Sequence, residues 1–223
     1  LEREAMVWAA VPHDNIVPLF GYFQGVNKAP QLVYPFFENG TLGSYVNNHR
    51  GLTYIERLKL SLNLARGLGQ LHSREPAIVY GNLKPANVMV DDDMNCVLLD
   101  FSNSRVTMAP GIHSDFNTDS TRGTVVYLAK ELLLENALPT LASDVYALGG
   151  LILFIMTGKA PFHAIRGGVG SIIFIIMRGE TPIPSDYPAL AQDDPLWSLM
   201  KKCWDPQPDR RPSMSQIIYK VCT

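Results

Sequence analysis

Cysteine is scarce in this 223-residue chain. Cys96, Cys203 and Cys222 are widely spaced, odd in number and form no CxxC pair. That speaks against a disulfide framework or a zinc site and for a reducing compartment. An excess of either charge is also missing. Nineteen Lys and Arg against 21 Asp and Glu leave a net charge of −2, so neither nucleic acid nor an anionic membrane is an expected partner. The longest apolar run, Val145 to Met156, is shorter than the roughly 20 residues of a bilayer span and reads as a buried helix. No basic stretch followed by an apolar one opens the chain, so no secretory leader is expected and the expected setting is cytoplasmic. There is no internal repeat, no low-complexity tract and no GxGxxG. The one glycine cluster, Gly167-Gly168-Val169-Gly170, has no lysine after it and reads as a linker between helices.

What is present describes an ordinary globular protein, 47% hydrophobic and 18% charged, long enough for one large domain or two small ones. Leu1 to Val11 has helical spacing, with Leu1, Ala5, Trp8 and Val11 on one face, and Pro12 ends it. Extended runs follow at Ile16 to Phe20 and Gln31 to Phe37. Glu38-Asn39-Gly40 is a turn, and Thr41 can cap a short helix from Leu42 to Asn48. Tyr54 to His72 is helical, with Ile55, Leu58, Leu62, Ala65, Leu68 and Leu71 recurring at three and four. Two strands, Val88 to Val90 and Cys96 to Leu99, are joined by Asp91-Asp92-Asp93, a solvated hairpin turn rather than a metal site. From Ser102 to Thr124 the pattern dissolves into small polar residues, a loop long enough to expect function from it. Helices are predicted at Ala129 to Glu135, Ala142 to Thr157, Gly170 to Arg178, Pro195 to Lys201 and Ser213 to Val221. A little β followed by mostly α fits an α+β fold.

Five motifs stand in order along this frame. They are Tyr80-Gly81-Asn82-Leu83-Lys84-Pro85-Ala86-Asn87, Asp100-Phe101-Ser102, Gly123-Thr124 through Ala129-Lys130-Glu131, Ser143-Asp144 through Gly149, and Cys203-Trp204-Asp205-Pro206 with Arg211-Pro212-Ser213. Together they resemble the protein-kinase domain, with a lean toward the tyrosine-kinase-like group. The resemblance implies a mainly α-helical large lobe at 36–223, with a catalytic loop at 80–87 and an activation segment at 100–131. Residues 1–35 then correspond to a remnant of the β-rich small lobe.

The resemblance also implies roles. ATP and magnesium are the family's cofactors, and proteins its substrates or partners. Asn87 and Asp100 match the magnesium ligands, both offering oxygen to a hard cation. Lys84 matches the lysine beside the transferred phosphoryl group. Tyr34 falls at the gatekeeper, Phe36 and Phe37 at the adenine hinge and Met89 at the pocket floor, although Tyr34, Phe36 and Met89 read equally well as core. Glu4 matches the helix glutamate that pairs with a strand lysine. Trp8, Leu19, Tyr80 and Phe101 match the apolar stack between lobes. Glu131 with Arg211 matches a buried ion pair, and Asp144 an acceptor for catalytic-loop backbone.

Several positions depart from the pattern. Asn82 replaces the aspartate that takes the proton of the substrate hydroxyl, and an amide oxygen is not basic near neutral pH. Gly81 replaces an arginine that meets an activation-loop phosphate. That weakens control through Thr118, Ser120, Thr121 or Thr124, though these hydroxyls could still accept phosphate from another kinase. Ser102 and Lys130 replace glycine and proline, and no counterpart of the phosphate loop or its strand lysine occurs. Loss of a general base alone costs about 10²–10⁴ in rate, and orientation is worth up to about 7–11 kcal/mol. The expectation is a pseudokinase, an interaction or regulatory module with weak ATP binding at most. The competing reading is a Ser/Thr or dual-specificity kinase whose upstream segment lies outside this sequence, with a small-molecule phosphotransferase a distant third.

Overall fold

The computed structural model describes residues 2–25, 30–107 and 122–222. Its centre is helix α5, Leu141–Thr157. Residues 143–156 of α5 are buried on every side, as expected of a helix apolar all round. Two other helices pack directly on it. Helix α3, Tyr54–His72, packs on α5 and on α8, Met214–Cys222. Helix α7, Pro195–Cys203, covers another side of α5. Helix α6, Val169–Met177, buries only Ile172 and Ile176 and leaves Phe174 and Met177 exposed.

Local sequence sets the helix ends. Thr53 and Glu56 form a capping box at the start of α3: the Glu56 N–H donates to Thr53 Oγ1 and the Thr53 N–H to Glu56 Oε2, at 3.3 and 2.7 Å. These bonds satisfy two of the donors a helix start leaves unpaired. Thr41 caps α2, Leu42–Asn48, through Ser44 N, and Thr140 caps α5 through Ser143.

The strands are short and come in antiparallel pairs. In chain order they are β1 (Gly21–Phe23) with β2 (Gln31–Val33), β3 (Ile78–Val79) with β6 (Arg105–Val106), and β4 (Val88–Val90) with β5 (Cys96–Leu98). Helix α1, Glu2–Ala9, precedes the first pair in the chain. The second and third frame the segment from Tyr80 to Asp100. The acidic run behaves as a turn: Asp91 Oδ1 accepts from Asn95 N at 2.7 Å. No group of three or more metal-ligating side chains occurs among the described residues. None of their helices is long and apolar enough to cross a membrane.

Several expectations need correction. Ile16 to Phe20 is not a strand. Ile16 makes only an isolated bridge to Leu98, and Val17 N donates to Leu98 O at 3.0 Å. Pro18 has no N–H to continue the pairing, so the strand begins at Gly21. The run from Gln31 stops at Val33, short of Pro35. Lys130–Leu133 is a 3₁₀ turn rather than a helix over 129–135. Strands β3 and β6 escaped the periodicity reading because each has two residues, and their partners lie 26 or more positions away. A further short helix, α4 (Arg122–Val125), starts within the 102–124 span expected to be loop. Of the proposed phosphate acceptors, Thr118, Ser120 and Thr121 lie outside the described residues. Thr124 is buried, which removes it as an acceptor for another kinase.

Candidate functional site: the 80–87 loop and Asp100

The loop after β3 is anchored from below. Asp144, in the first turn of α5 and 2% exposed, accepts from Tyr80 N and Gly81 N at 2.8 Å each. His72 Nε2 lies 3.0 Å from the same carboxylate. The acceptor expected at Asp144 is therefore in place, and His72, which no motif pointed to, joins it. Asp144→Asn is expected to cost about 1–3 kcal/mol, since the new amide turns a donor toward a buried backbone N–H. Urea unfolding checks this, and an unchanged midpoint would show that the anchor is dispensable.

The rings expected to stack do so. Trp8 lies on Phe101 with centroids 5.4 Å apart, and Phe101 meets Tyr80 edge-on at 5.5 Å. All three rings are buried, and Leu19 packs half-buried against the same core. The Tyr80 hydroxyl faces the carbonyl oxygens of Asn87 and Leu99. Burial pushes this phenol well up from its ordinary range, so it acts as a fixed donor.

Above this layer the predicted site residues converge. The 3₁₀ turn Pro85–Asn87 carries Asn87, which donates from Nδ2 to the Asn82 carbonyl at 2.9 Å. Asn82 in turn donates from Nδ2 to Asp100 Oδ2 at 3.1 Å. Asp100 Oδ1 accepts from Ser102 N at 3.1 Å and from Ser102 Oγ at 2.6 Å. Lys84 is half-buried and lines a cavity of about 20 Å³ with Asn82, Asp144 and Thr124, space for no more than a water.

Glu4 projects from α1 toward the same cluster. Burial raises its carboxyl pKa first, then the charge of Asp100, while the Phe101 N–H opposes both. No ion pair engages Glu4 among the described residues. The residues expected on the adenine side separate. Phe37 is in the core, Met89 is half-buried in β4, and the Phe36 side chain is 88% exposed. The exposure of Phe36 rules out the core reading for its ring.

The cluster fits a hard cation poorly. Asn87 suits the role, because its donated Nδ2 leaves Oδ1 as the acceptor. Asp100 suits it less, because two donors fill Oδ1 and the Asn82 amide occupies one side of Oδ2. The Asn82 amide turns its positive end toward the carboxylate oxygen a cation would need. Asn82 stands between Asn87 and Asp100 in one hydrogen-bonded chain. Ser102 was not foreseen in this role, although a serine two residues after an aspartate is the local signature of such a turn.

Known proteins carry the same frame. The protein kinase domain family matches residues 1–221. The receptor-interacting serine/threonine-protein kinase 3 of Rattus norvegicus is 29% identical over 234 residues, covering 99% of this chain and 48% of that protein. An inactive leucine-rich repeat receptor-like serine/threonine-protein kinase of Arabidopsis thaliana is 27% identical over 232 residues, covering 99% and 34%. A receptor-like protein kinase of the same plant, also with leucine-rich repeats, is 36% identical over 152 residues, covering 67% and 17%. The chain spans less than half the length of each. With the helical large lobe, the assembled stack and the 80–87 loop in position, the chain belongs to the protein kinase domain family.

Proposed function

We propose that this domain is catalytically impaired and works as a pseudokinase, a module that binds protein partners and retains at most weak affinity for ATP. One observation carries the reading: the position of the catalytic base holds Asn82, and its amide is committed to Asp100 at 3.1 Å. Such a group can neither accept the substrate proton nor swing free without uncovering Asp100. Glu4, half-buried and without a basic partner among the described residues, supports it from the nucleotide side. The exposed Phe174 and Met177 of α6 supply apolar surface of the kind partners cover. The small-lobe remnant at 1–35, the large lobe at 36–223 and a cytoplasmic setting belong to the same reading.

The competing reading, an active Ser/Thr kinase, draws on the assembled Trp8–Phe101–Tyr80 stack and on Thr124 beside Lys84 in one small cavity. Transfer of labelled γ-phosphate from ATP to a generic protein substrate separates the two. The unmodified chain is expected at background, about 10²–10⁴ below a working kinase on the missing base alone. Transfer by the unmodified chain that Asp100→Ala abolishes would end the non-catalytic reading.

A further inference from the structure

Asp100 has a φ of +66°, a left-handed conformation that a residue with a side chain adopts at a cost. Three neutral donors hold it there: Asn82 Nδ2 on one oxygen, and the backbone N–H and hydroxyl of Ser102 on the other. Asn87 fixes the Asn82 backbone from behind. The amide orientation is forced, because an ionised carboxylate only accepts hydrogen bonds and the NH₂ end of Asn82 must face it. An aspartate at position 82 would instead set carboxylate against carboxylate at this spacing, a repulsion that a shared proton or a bound cation relieves.

We infer that the Asn82 carboxamide takes the place of the divalent cation. It presents the positive end of a dipole to Asp100 Oδ2, Ser102 saturates Oδ1, and Asp100 keeps its position with no metal. Any nucleotide affinity the domain retains is then independent of magnesium. Two of the departures in the motifs, Asn82 and Ser102, act together here, since each supplies a donor to the same carboxylate. The inference concerns how Asp100 is held and goes beyond the non-catalytic reading. Cation uptake at Asp100 without phosphate transfer would overturn this inference and leave that reading standing, whereas transfer that Asp100→Ala abolishes would overturn both.

The test is a titration of the whole chain with Mn²⁺, following the loss of the free-ion paramagnetic resonance signal. The unmodified chain is expected to take up no more Mn²⁺ than Asp100→Ala. Asn82→Asp is expected to bind about 10–100-fold tighter, as changes beside a metal ligand commonly do. Uptake by the unmodified chain that Asp100→Ala removes would overturn the inference. So would an Asn82→Asp protein with native circular dichroism and no tighter binding. If Asn82→Asp does not fold, Asn82→Ala removes the donor without adding charge. A rise in its Mn²⁺ uptake supports the inference, and unchanged uptake overturns it.

Discussion

Arg211→Ala is expected to lower the unfolding free energy by about 3–5 kcal/mol, the range for breaking one partner of a buried ion pair. The Arg211 side chain is 1% exposed and bonds Glu131 through two nitrogens, at 2.5 and 2.9 Å. It also donates to the carbonyls of Ala142 at 2.9 Å and Asp205 at 3.0 Å, and it lies 5.2 Å above the Tyr146 ring. One side chain thus ties the turn at Lys130–Leu133 to the start of α5 and to the segment between α7 and α8. Truncation strands the Glu131 carboxylate and two carbonyls together. Glu131 is 23% exposed, so water recovers part of its loss and the value should fall in the lower half of the range. Arg211→Lys is expected to restore only a fraction, because an ammonium cannot make the paired bonds. Urea unfolding of Arg211→Ala, Glu131→Gln and the double variant gives the coupling between the two. A loss below about 1 kcal/mol for Arg211→Ala would place this pair among ordinary surface ion pairs and remove its scaffold role.

The same pair shows where sequence reasoning failed. Residues 129–135 are apolar enough to read as a helix. The chain instead makes a single 3₁₀ turn with Glu131 paired to a residue 80 positions away, and local propensity carries no record of that tie. Helices α2 and α3 were legible to the residue because their signals are local: Thr41 and the Thr53–Glu56 box sit beside the apolar stripes they start. Strands β3 and β6 were illegible because two residues hold no period. The site divides along the same line. Asn82, Asn87, Asp100, Asp144 and the aromatic stack were marked by motif and then found together. The bond from Asn82 to Asp100 joins side chains 18 residues apart, and only folding brings its two ends together.

Gly81 makes the other large effect, and it runs against intuition. Returning arginine to position 81, the family's usual residue there, is expected to destabilise the domain by roughly 2–5 kcal/mol. A left-handed φ costs a side-chain-bearing residue about 1–2 kcal/mol, and overfilling a packed site adds about 1–3 kcal/mol. Gly81 has a φ of +81°. A Cβ at this position would lie 2.7 Å from the Asn103 carbonyl oxygen and 3.3 Å from two atoms of the Pro139 ring. The backbone cannot easily retreat, because Gly81 N is bonded to Asp144 Oδ1 at 2.8 Å. Gly81→Ala isolates the Cβ and should already show most of the loss in a denaturant titration. An alanine variant within about 0.5 kcal/mol of the unmodified chain, the usual span of harmless surface changes, would refute the argument. The loop has closed over the space an arginine would need, just as the Asn82 amide fills the position opposite Asp100. Asn82→Asp changes charge without adding bulk, so it is the substitution through which cation binding can be recovered. Gly81→Arg must first reopen the contact with Asn103, and on these distances it loses fold before it gains any function.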